Sequence, residues 1–201
     1  MKLYYFPGAC SAASHIMLRE TEQNFELEAV DMETGKTESG KTFTDVNPKG
    51  QVPALELETG EVLTEGAAVL QLIADSAPEK AFSPAIGSVE RAQMQEHLNY
   101  TASELHKAFT PLFKANSDAE AEAAKKVIGD KFTHIEGILS DGREFLVQDT
   151  FSPADAYLFV VANWANFKAI DLAPWPNLKA FVERVKARES VVATFKAEGL
   201  A

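Results

Sequence analysis

The spacing of apolar residues changes once along the chain, and this change constrains the fold more than any other feature. Before the proline-containing segment 77–84, short apolar or alternating runs typical of strands are interspersed with helical stretches. After that segment, every long stretch has helical periodicity. A chain of 201 residues is long enough for two small domains. We therefore predict an α/β domain over residues 1–80 and an all-α domain over residues 81–201.

The predicted elements of the first part occur in the order β-α-β, loop, β-β-α. A parallel pair of strands followed by an antiparallel hairpin fits a mixed α/β sandwich. Residues 32–50 are polar and contain several glycines, so we expect a connecting region of weak structure there. The strands are predicted at 2–6, 25–31, 52–57 and 61–63, and the helices at 11–22 and 65–75.

The second part predicts long helices at about 88–114, 119–139, 153–168 and 175–196, with a break in the last. Pro111 lies inside the first of these helices and should kink it, because proline lacks the N–H group that the helix needs. Ser152, Pro153 and Asp155 occupy the N-cap, first and third positions of another helix. This order predicts a capping box, which determines the fold rather than the chemistry.

The charge of the chain excludes some classes of partner. With 19 basic and 30 acidic residues, the net charge is −11. Such a surface argues against nucleic-acid or anionic-membrane partners, so an anionic substrate must be bound by local donors. No apolar run approaches the roughly 18 residues that a membrane-spanning helix needs. The first residues predict a strand rather than an export signal, and we expect a cytoplasmic protein.

Cys10 is the one cysteine of the chain, so an intramolecular disulfide is impossible and a reducing compartment is expected. No thiolate cluster exists for zinc and the four histidines lack metal-ligand spacing, so we expect no metal. Cys10 follows the first strand and precedes a helix, where a thiolate is favoured. The alternative is a small buried hydrophobe. Ser11 is a candidate for capping this helix or for donating its hydroxyl to a ligand thiolate.

Two further turns contain candidate binding residues. Val52-Pro53 lies at the beginning of a predicted strand, a position where proline is tolerated. The alternative is a cis proline that leaves the backbone groups of Val52 free for a peptide ligand. Glu65-Gly66 begins a helix. Its carboxylate either stabilises the helix dipole or accepts a ligand ammonium, and Gly66 permits close approach to the backbone.

The helix predicted at 88–114 contains a leucine at every seventh position, namely Leu98, Leu105 and Leu112. These leucines should form a buried stripe, while Asn99, Ser103 and His106 share a different, polar face. A histidine beside Asn and Ser is a functional candidate, and the alternative is a structural histidine. Four aromatic residues are candidates for an apolar co-substrate pocket or for ordinary core: Phe109, Phe113, Trp164 and Phe167.

Along its whole length the chain resembles the beta class of bacterial glutathione transferases, and it is especially similar to members from aromatic-degradation pathways. Six stretches carry the resemblance, in order: KLYYFPGACS, VNPKGQVPAL, LTEGAAVLQ, ELHKAFTPLF, FSPADAYLFVV and DLAPWPNL. The resemblance implies a thioredoxin fold in the N-terminal domain and a homodimer. It also implies transfer of glutathione to hydrophobic electrophiles, with glutathione as co-substrate.

The resemblance also implies roles for individual residues. Cys10 would lie beside the glutathione sulfur, Val52 before a cis Pro53 would pair with the cysteinyl backbone, and Glu65 with Gly66 would hold the γ-glutamyl end. Further implied contacts are His106 and Asn99 in the cleft, Ser103 and Glu104 toward the partner subunit's glutathione, and Lys36 or Lys107 at the glycyl carboxylate. The chain departs from the pattern at Gly66, where many relatives have a hydroxyl residue, and at Gly35, which is often lysine.

The leading hypothesis is thus a glutathione transferase in which cleft donors stabilise the glutathione thiolate. Cys10 is predicted to allow a mixed disulfide with glutathione, with dehalogenating or thiol-disulfide side activity. Two alternatives remain at this point. One is a monothiol, glutathione-dependent oxidoreductase, and the other is a non-catalytic binding protein of the same fold.

Overall fold

The computed structural model describes residues 1–147 and 149–200. Contacts within this part of the chain define two compact units. The first unit contains residues 1–83 and 187–201, and the second contains residues 84–186. Among the described residues, no helix is both long enough and apolar enough to cross a membrane.

A mixed sheet forms the centre of the first unit, and its described strands have the order β3-β2-β1-β4-β5. β1 pairs in parallel with β2, whereas β4 and β5 form an antiparallel hairpin beside β1. The predicted parallel pair, the hairpin and the thioredoxin-like fold are therefore confirmed. The strands are β1 (Lys2–Tyr5), β2 (Glu26–Asp31), β3 (Lys36–Thr37), β4 (Ala54–Glu56) and β5 (Val62–Thr64).

Helices cover this sheet, and most of α1 is buried because its sequence is rich in small and apolar residues. The helices of the first unit are α1 (Ser11–Glu20), α2 (Phe43–Val46), α3 (Gly66–Asp75) and α9 (Glu189–Ala197), with a short 3-10 helix at Pro78–Lys80. The weak structure expected over 32–50 is wrong in part, since β3 and α2 form there. Phe43 explains the difference, because its buried ring packs 5.8 Å from that of Tyr4.

The C-terminal segment differs from its predicted assignment to the all-helical domain. Within the described residues, α9 packs against α1 and belongs to the first unit. The Glu20 carboxylate accepts hydrogen bonds from Arg188 at 2.7 and 2.9 Å and from the Ser190 hydroxyl at 2.5 Å. Burial alone would raise the pKa of Glu20, but these hydrogen bonds outweigh burial and lower it. A paired carboxylate thus fastens α9 to the end of α1.

The described helices of the second unit are α4 (Val89–Tyr100), α5 (His106–Lys114), α6 (Asp118–Leu139), α7 (Pro153–Phe167) and α8 (Pro176–Lys186). The stripe of Leu98, Leu105 and Leu112 is buried as predicted. The single helix predicted at 88–114 instead contains a π-helical turn, Thr101–Leu105, between α4 and α5. In that turn the His106 N–H group bonds to the Thr101 carbonyl, five residues earlier. The extra residue changes which side chains share a face.

The predicted capping box at the start of α7 is confirmed. One oxygen of the Asp155 carboxylate accepts hydrogen bonds from the Ser152 N–H group at 2.9 Å and from its hydroxyl at 2.6 Å. The other oxygen accepts the Leu146 N–H group at 2.8 Å. Asp155 is fully buried, and burial raises its pKa to about 6. The box therefore also fastens the preceding loop to the helix.

Candidate functional site

Cys10 follows the turn Pro7-Gly8 at the end of β1 and is the N-cap residue of α1. Gly8 has a φ of 73°, a conformation that glycine adopts without steric cost. The Cys10 side chain is half-buried, and its thiol donates to the Val52 carbonyl at 3.3 Å. The structure thus brings together two residues that are far apart in the sequence and that both have predicted roles at the glutathione sulfur.

Ser11 is fully buried, and its hydroxyl is bonded to the backbone of Phe6. It accepts the Phe6 N–H group at 3.2 Å and donates to the Phe6 carbonyl at 3.3 Å. Within residues 1–147 and 149–200, the hydrogen bonds found for the Ser11 hydroxyl go to Phe6, and the N-cap residue Cys10 makes no side-chain capping bond, so a capping role for Ser11 is not observed. The hydroxyl joins the end of β1 to the first turn of α1, and in this way it shapes the loop that presents Cys10.

A buried polar chain behind this loop was not predicted. Glu198 accepts the Gly8 N–H group at 3.0 Å and bonds to His15 Nδ1 at 2.9 Å. Arg19 Nε donates to His15 Nε2 at 3.0 Å, which places the histidine proton on Nδ1. The His15 and Glu198 side chains are fully buried. The sequence did not predict these hydrogen bonds, because His15 and Glu198 are 183 residues apart and no local motif connects them.

Val52-Pro53 is a cis peptide bond, as the resemblance implies. Val52 packs against the buried cluster that contains Tyr4 and Phe43. Pro53 precedes β4, and the Val52 carbonyl accepts the Cys10 thiol. The Val52 backbone therefore lies beside the sulfur-bearing residue at the edge of the sheet.

Glu65 is the N-cap residue of α3 and has a φ of 70°, which is unusual for a residue other than glycine. Such strained positions are frequent at ligand-binding sites. Lys49 Nζ lies 2.6 Å from Glu65 Oε1 and donates to Thr64 Oγ1 at 3.0 Å. Both charged side chains remain largely exposed, at 51% for Lys49 and 69% for Glu65. Gly66, the first residue of α3, carries no side chain beside this pair.

Lys36 lies in β3, and its ammonium donates to the Thr42 hydroxyl at 2.8 Å. Together with Phe6 and Pro7 it lines a cleft of 330 Å³ in the first unit. The turn before Cys10 and Lys36, one of the two lysines predicted for the glycyl carboxylate, therefore border the same cleft.

His106 begins α5 in the second unit, where its Nδ1 atom and the Tyr157 hydroxyl share a hydrogen bond of 2.8 Å. Its ring packs edge-on against Trp164, with 4.8 Å between ring centroids. Burial, with a smaller contribution from the neighbouring Lys107 charge, lowers the pKa of His106 to about 4. The imidazole is therefore neutral near pH 7, so it can donate one hydrogen bond and accept another but does not supply a positive charge.

The other predicted polar residues of this helix are more exposed than His106. The Ser103 hydroxyl donates to the Asn99 carbonyl at 2.9 Å, and Glu104 pairs with Lys131 at 2.6 Å. Lys107 borders a groove of 560 Å³ lined by α5 and α6. Asn99 precedes the π-helical turn, Ser103 lies within it, and His106 follows it; of the three, only His106 is half-buried.

The four aromatic candidates differ in their exposure. Phe109 is completely buried and Trp164 is 5% exposed, whereas Phe113 and Phe167 are 48% and 55% exposed. Phe113 packs edge-on against Trp164 at 5.2 Å, and Lys168 Nζ lies 4.7 Å from the centre of the Phe113 ring. Phe109 and Trp164 form the floor of an aromatic cluster, and Phe113 offers its partly exposed face.

Over residues 1–147 and 149–200, no group of three His, Cys, Asp or Glu side chains is placed to hold a metal ion. The expectation of a metal-free enzyme remains a prediction.

Comparison with known proteins identifies the class that this fold and these residues define. Residues 1–75 match the N-terminal domain of glutathione S-transferases, and residues 100–189 match the C-terminal domain. Glutathione S-transferase GstA of Escherichia coli O157:H7 is 42% identical, with full coverage of both chains. The bacterial beta-class enzyme of Sphingomonas chungbukensis has a TM-score of 0.95 and 44% identity, again with full coverage of both chains. A sphingomonad glutathione S-transferase solved with glutathione has the same TM-score, identity and coverage.

The chain belongs to the glutathione S-transferase family. The predicted resemblance to the bacterial beta class is confirmed, and so is the prediction of an enzyme that conjugates glutathione. The non-catalytic alternative is therefore set aside.

Proposed function

We propose that this glutathione transferase binds glutathione along one edge of the first unit and transfers it to a hydrophobic electrophile. The observation that carries the proposal is the contact between the Cys10 thiol and the Val52 carbonyl at 3.3 Å. In the proposed complex the Val52 backbone pairs with the cysteinyl residue of glutathione, so the glutathione sulfur comes beside Cys10. The related sphingomonad enzyme with glutathione bound supports the choice of ligand.

The remaining first-unit residues are assigned to the two ends of the ligand. Glu65 accepts the ammonium of the γ-glutamyl residue, and the backbone at Gly66 donates to its carboxylate. Lys36 binds the glycyl carboxylate, because its ammonium borders the cleft formed with Phe6 and Pro7. Lys107 is the other candidate for that carboxylate.

In the second unit we assign the aromatic cluster to the electrophile. Phe113 and Phe167 supply exposed apolar surface, which favours binding of an apolar molecule. The buried Phe109 and Trp164 support that surface from beneath. His106 contributes a neutral imidazole to the reaction and lines the cleft together with Asn99. Ser103 and Glu104 are proposed to contact the glutathione of the partner subunit in a homodimer. We further propose a cytoplasmic location, function without a metal, and no nucleic-acid or membrane partner.

A second activity is favoured by the position of Cys10. Attack of the Cys10 thiolate on oxidised glutathione would form a protein-glutathione disulfide and release one glutathione thiolate. Excess reduced glutathione would reverse the exchange by attacking the mixed disulfide and releasing oxidised glutathione. If the substrate is instead a disulfide between glutathione and another thiol, the same two exchanges release that thiol and oxidised glutathione, with two molecules of glutathione joined in the product. This is the predicted thiol-disulfide side activity, and the dehalogenating side activity is proposed to pass through the same mixed disulfide. In simple conjugation the sulfur of glutathione itself is the nucleophile.

Intact-protein mass spectrometry and conjugation kinetics test these assignments together. Oxidised glutathione should add one glutathionyl group to the wild type, and reductant should remove it. Cys10→Ala should abolish the adduct and any disulfide-reducing or dehalogenating activity but keep much of the conjugating activity. A folded wild type that remains unmodified would contradict the proposed sulfur-to-sulfur placement. A Cys10→Ala variant that binds glutathione but has lost all conjugation would show that Cys10 acts directly in the transfer.

A further inference from the structure

Lys49 lies in the loop before the cis proline, and neither the motifs nor the resemblance assigns it a role. Its ammonium contacts two side chains at the beginning of α3, Glu65 Oε1 at 2.6 Å and Thr64 Oγ1 at 3.0 Å. Because an ammonium has three N–H donors, one donor remains after these two contacts. Among the described residues, no further acceptor for Lys49 Nζ is found, so this donor is available to a ligand.

The Glu65 carboxylate is only partly used in the same way. Lys49 contacts Oε1, and no donor among the described residues contacts Oε2. A carboxylate accepts several hydrogen bonds, so Glu65 can keep Lys49 on one oxygen and receive a ligand ammonium on the other. The pair therefore offers a negative and a positive group side by side, which complements an ammonium and a carboxylate on one carbon atom.

Gly66 explains why such a cation is needed here. Gly66 has no side chain, so at this position only the backbone N–H group is available to a ligand carboxylate. The net charge of −11 also opposes the approach of an anionic group. A cation held beside Gly66 offsets both disadvantages.

We propose that Lys49 is a glutathione-binding residue that holds Glu65 through one N–H group and donates another to the α-carboxylate of the γ-glutamyl residue. The inference rests on the proposed function, since it takes glutathione as the ligand. It deepens that proposal by assigning the recognition of one carboxylate to a side chain rather than to the backbone at Gly66 alone.

Calorimetric titration of the wild type and Lys49→Met with three ligands tests the inference. The ligands are glutathione, 4-aminobutyryl-cysteinyl-glycine, which lacks the α-carboxylate, and glutaryl-cysteinyl-glycine, which lacks the ammonium. Lys49→Met should weaken the binding of glutathione and of the glutaryl analogue roughly tenfold, which is the lower end of the effect of losing a charge-assisted hydrogen bond. Its effect on the aminobutyryl analogue should be smaller than about twofold, because that ligand has no α-carboxylate to lose.

Lys80→Met is the matched control, because Lys80 forms another exposed ion pair of the first unit, with Glu22 at 2.8 Å. It removes the same charge and should leave all three affinities unchanged. The inference is wrong if Lys49→Met binds glutathione equally or more tightly, if it weakens all three ligands alike, or if Lys80→Met has the same effect.

A Glu65→Ala variant separates this failure from failure of the proposed site. If Glu65→Ala weakens glutathione binding and Lys49→Met does not, Lys49 alone has been assigned wrongly. If neither substitution weakens binding, the γ-glutamyl end binds elsewhere and the proposed site itself is wrong.

Discussion

Glu65 in the first unit and Asp155 in the second are carboxylates at the beginning of a helix, yet their surroundings are opposite. Glu65 is 69% exposed and pairs with one lysine, and in the part of the chain that the structure describes its second oxygen has no donor. Asp155 is completely buried, and both of its oxygens accept hydrogen bonds from the chain itself. A carboxylate at the beginning of a helix is thus structural at Asp155, whereas at Glu65 it is proposed to bind a ligand.

Under the proposed function, unused hydrogen-bonding capacity distinguishes the binding carboxylate, Glu65, from the structural one, Asp155. Burying a carboxylate is costly unless local donors compensate, and Asp155 has three such donors. Glu65 remains in water, where its pair with Lys49 adds little to the free energy of unfolding. Its backbone has a φ of 70°, a conformation that is unfavourable for residues other than glycine and that occurs often at ligand-binding sites.

The largest expected effect is the loss of stability in Asp155→Ala. The substitution leaves the Leu146 N–H, the Ser152 N–H and the Ser152 hydroxyl without their acceptor in a buried place. We expect the free energy of unfolding to fall by about 3 kcal/mol. Chemical denaturation at pH 7.5 measures this change, and calorimetry should find the glutathione affinity of the folded variant unchanged. An unchanged unfolding midpoint together with lost activity would reverse the assignment of Asp155.

The next effect concerns pH and compares two titratable groups of the second unit, the half-buried His106 and the fully buried Asp155. The pKa of His106 falls from its ordinary 6.5 to about 4, so its contribution is present above pH 6.5 and is lost as the pH falls toward 4. The pKa of Asp155 rises from 3.8 to about 6, so stability is lost as the pH rises through that window. Because the two effects oppose each other, His106 is best tested in an Asp155→Asn background.

In that background we expect about 1–2 kcal/mol of stability to be lost between pH 7 and pH 4.5, less than the full shift implies because His106 is partly exposed. Adding His106→Gln, which has no titrating ring, should reduce this loss, and His97, whose pKa burial also lowers, contributes to the part that remains. Denaturation curves of both variants at the two pH values provide the measurement. Equal pH dependence in the two variants would mean that His106 is not responsible.

The smallest effect on free energy, but the most specific one for function, is expected for Glu65→Ala. The glutathione dissociation constant should rise at least about tenfold, equivalent to roughly 1.4 kcal/mol. The free energy of unfolding should change by less than about 0.5 kcal/mol, because the side chain is exposed. Calorimetry and denaturation of this one variant give both values. If the wild type and Glu65→Ala bind glutathione with equal affinity, Glu65 is not a binding residue and the proposed contrast with Asp155 is wrong.

Features that depend on neighbouring residues were predicted from the sequence. Ser152, Pro153 and Asp155 lie within four positions of one another, so their capping box follows from local geometry. The leucine stripe and the parallel and antiparallel strand pairs follow from the repeat of apolar residues. The placement of Cys10 at the junction of β1 and α1 follows from the turn before it.

Only the tertiary structure decided features that join distant parts of the chain. The periodicity of α9 is that of any amphipathic helix, and its place in the first unit depends on Glu20 and Arg188, which are 168 residues apart. The His15–Glu198 pair and the Lys49–Glu65 pair are likewise formed when the fold brings distant segments together. A local pattern specifies hydrogen bonds within one turn or strand, whereas the partner of a side chain across the molecule depends on the packing of all the elements between them.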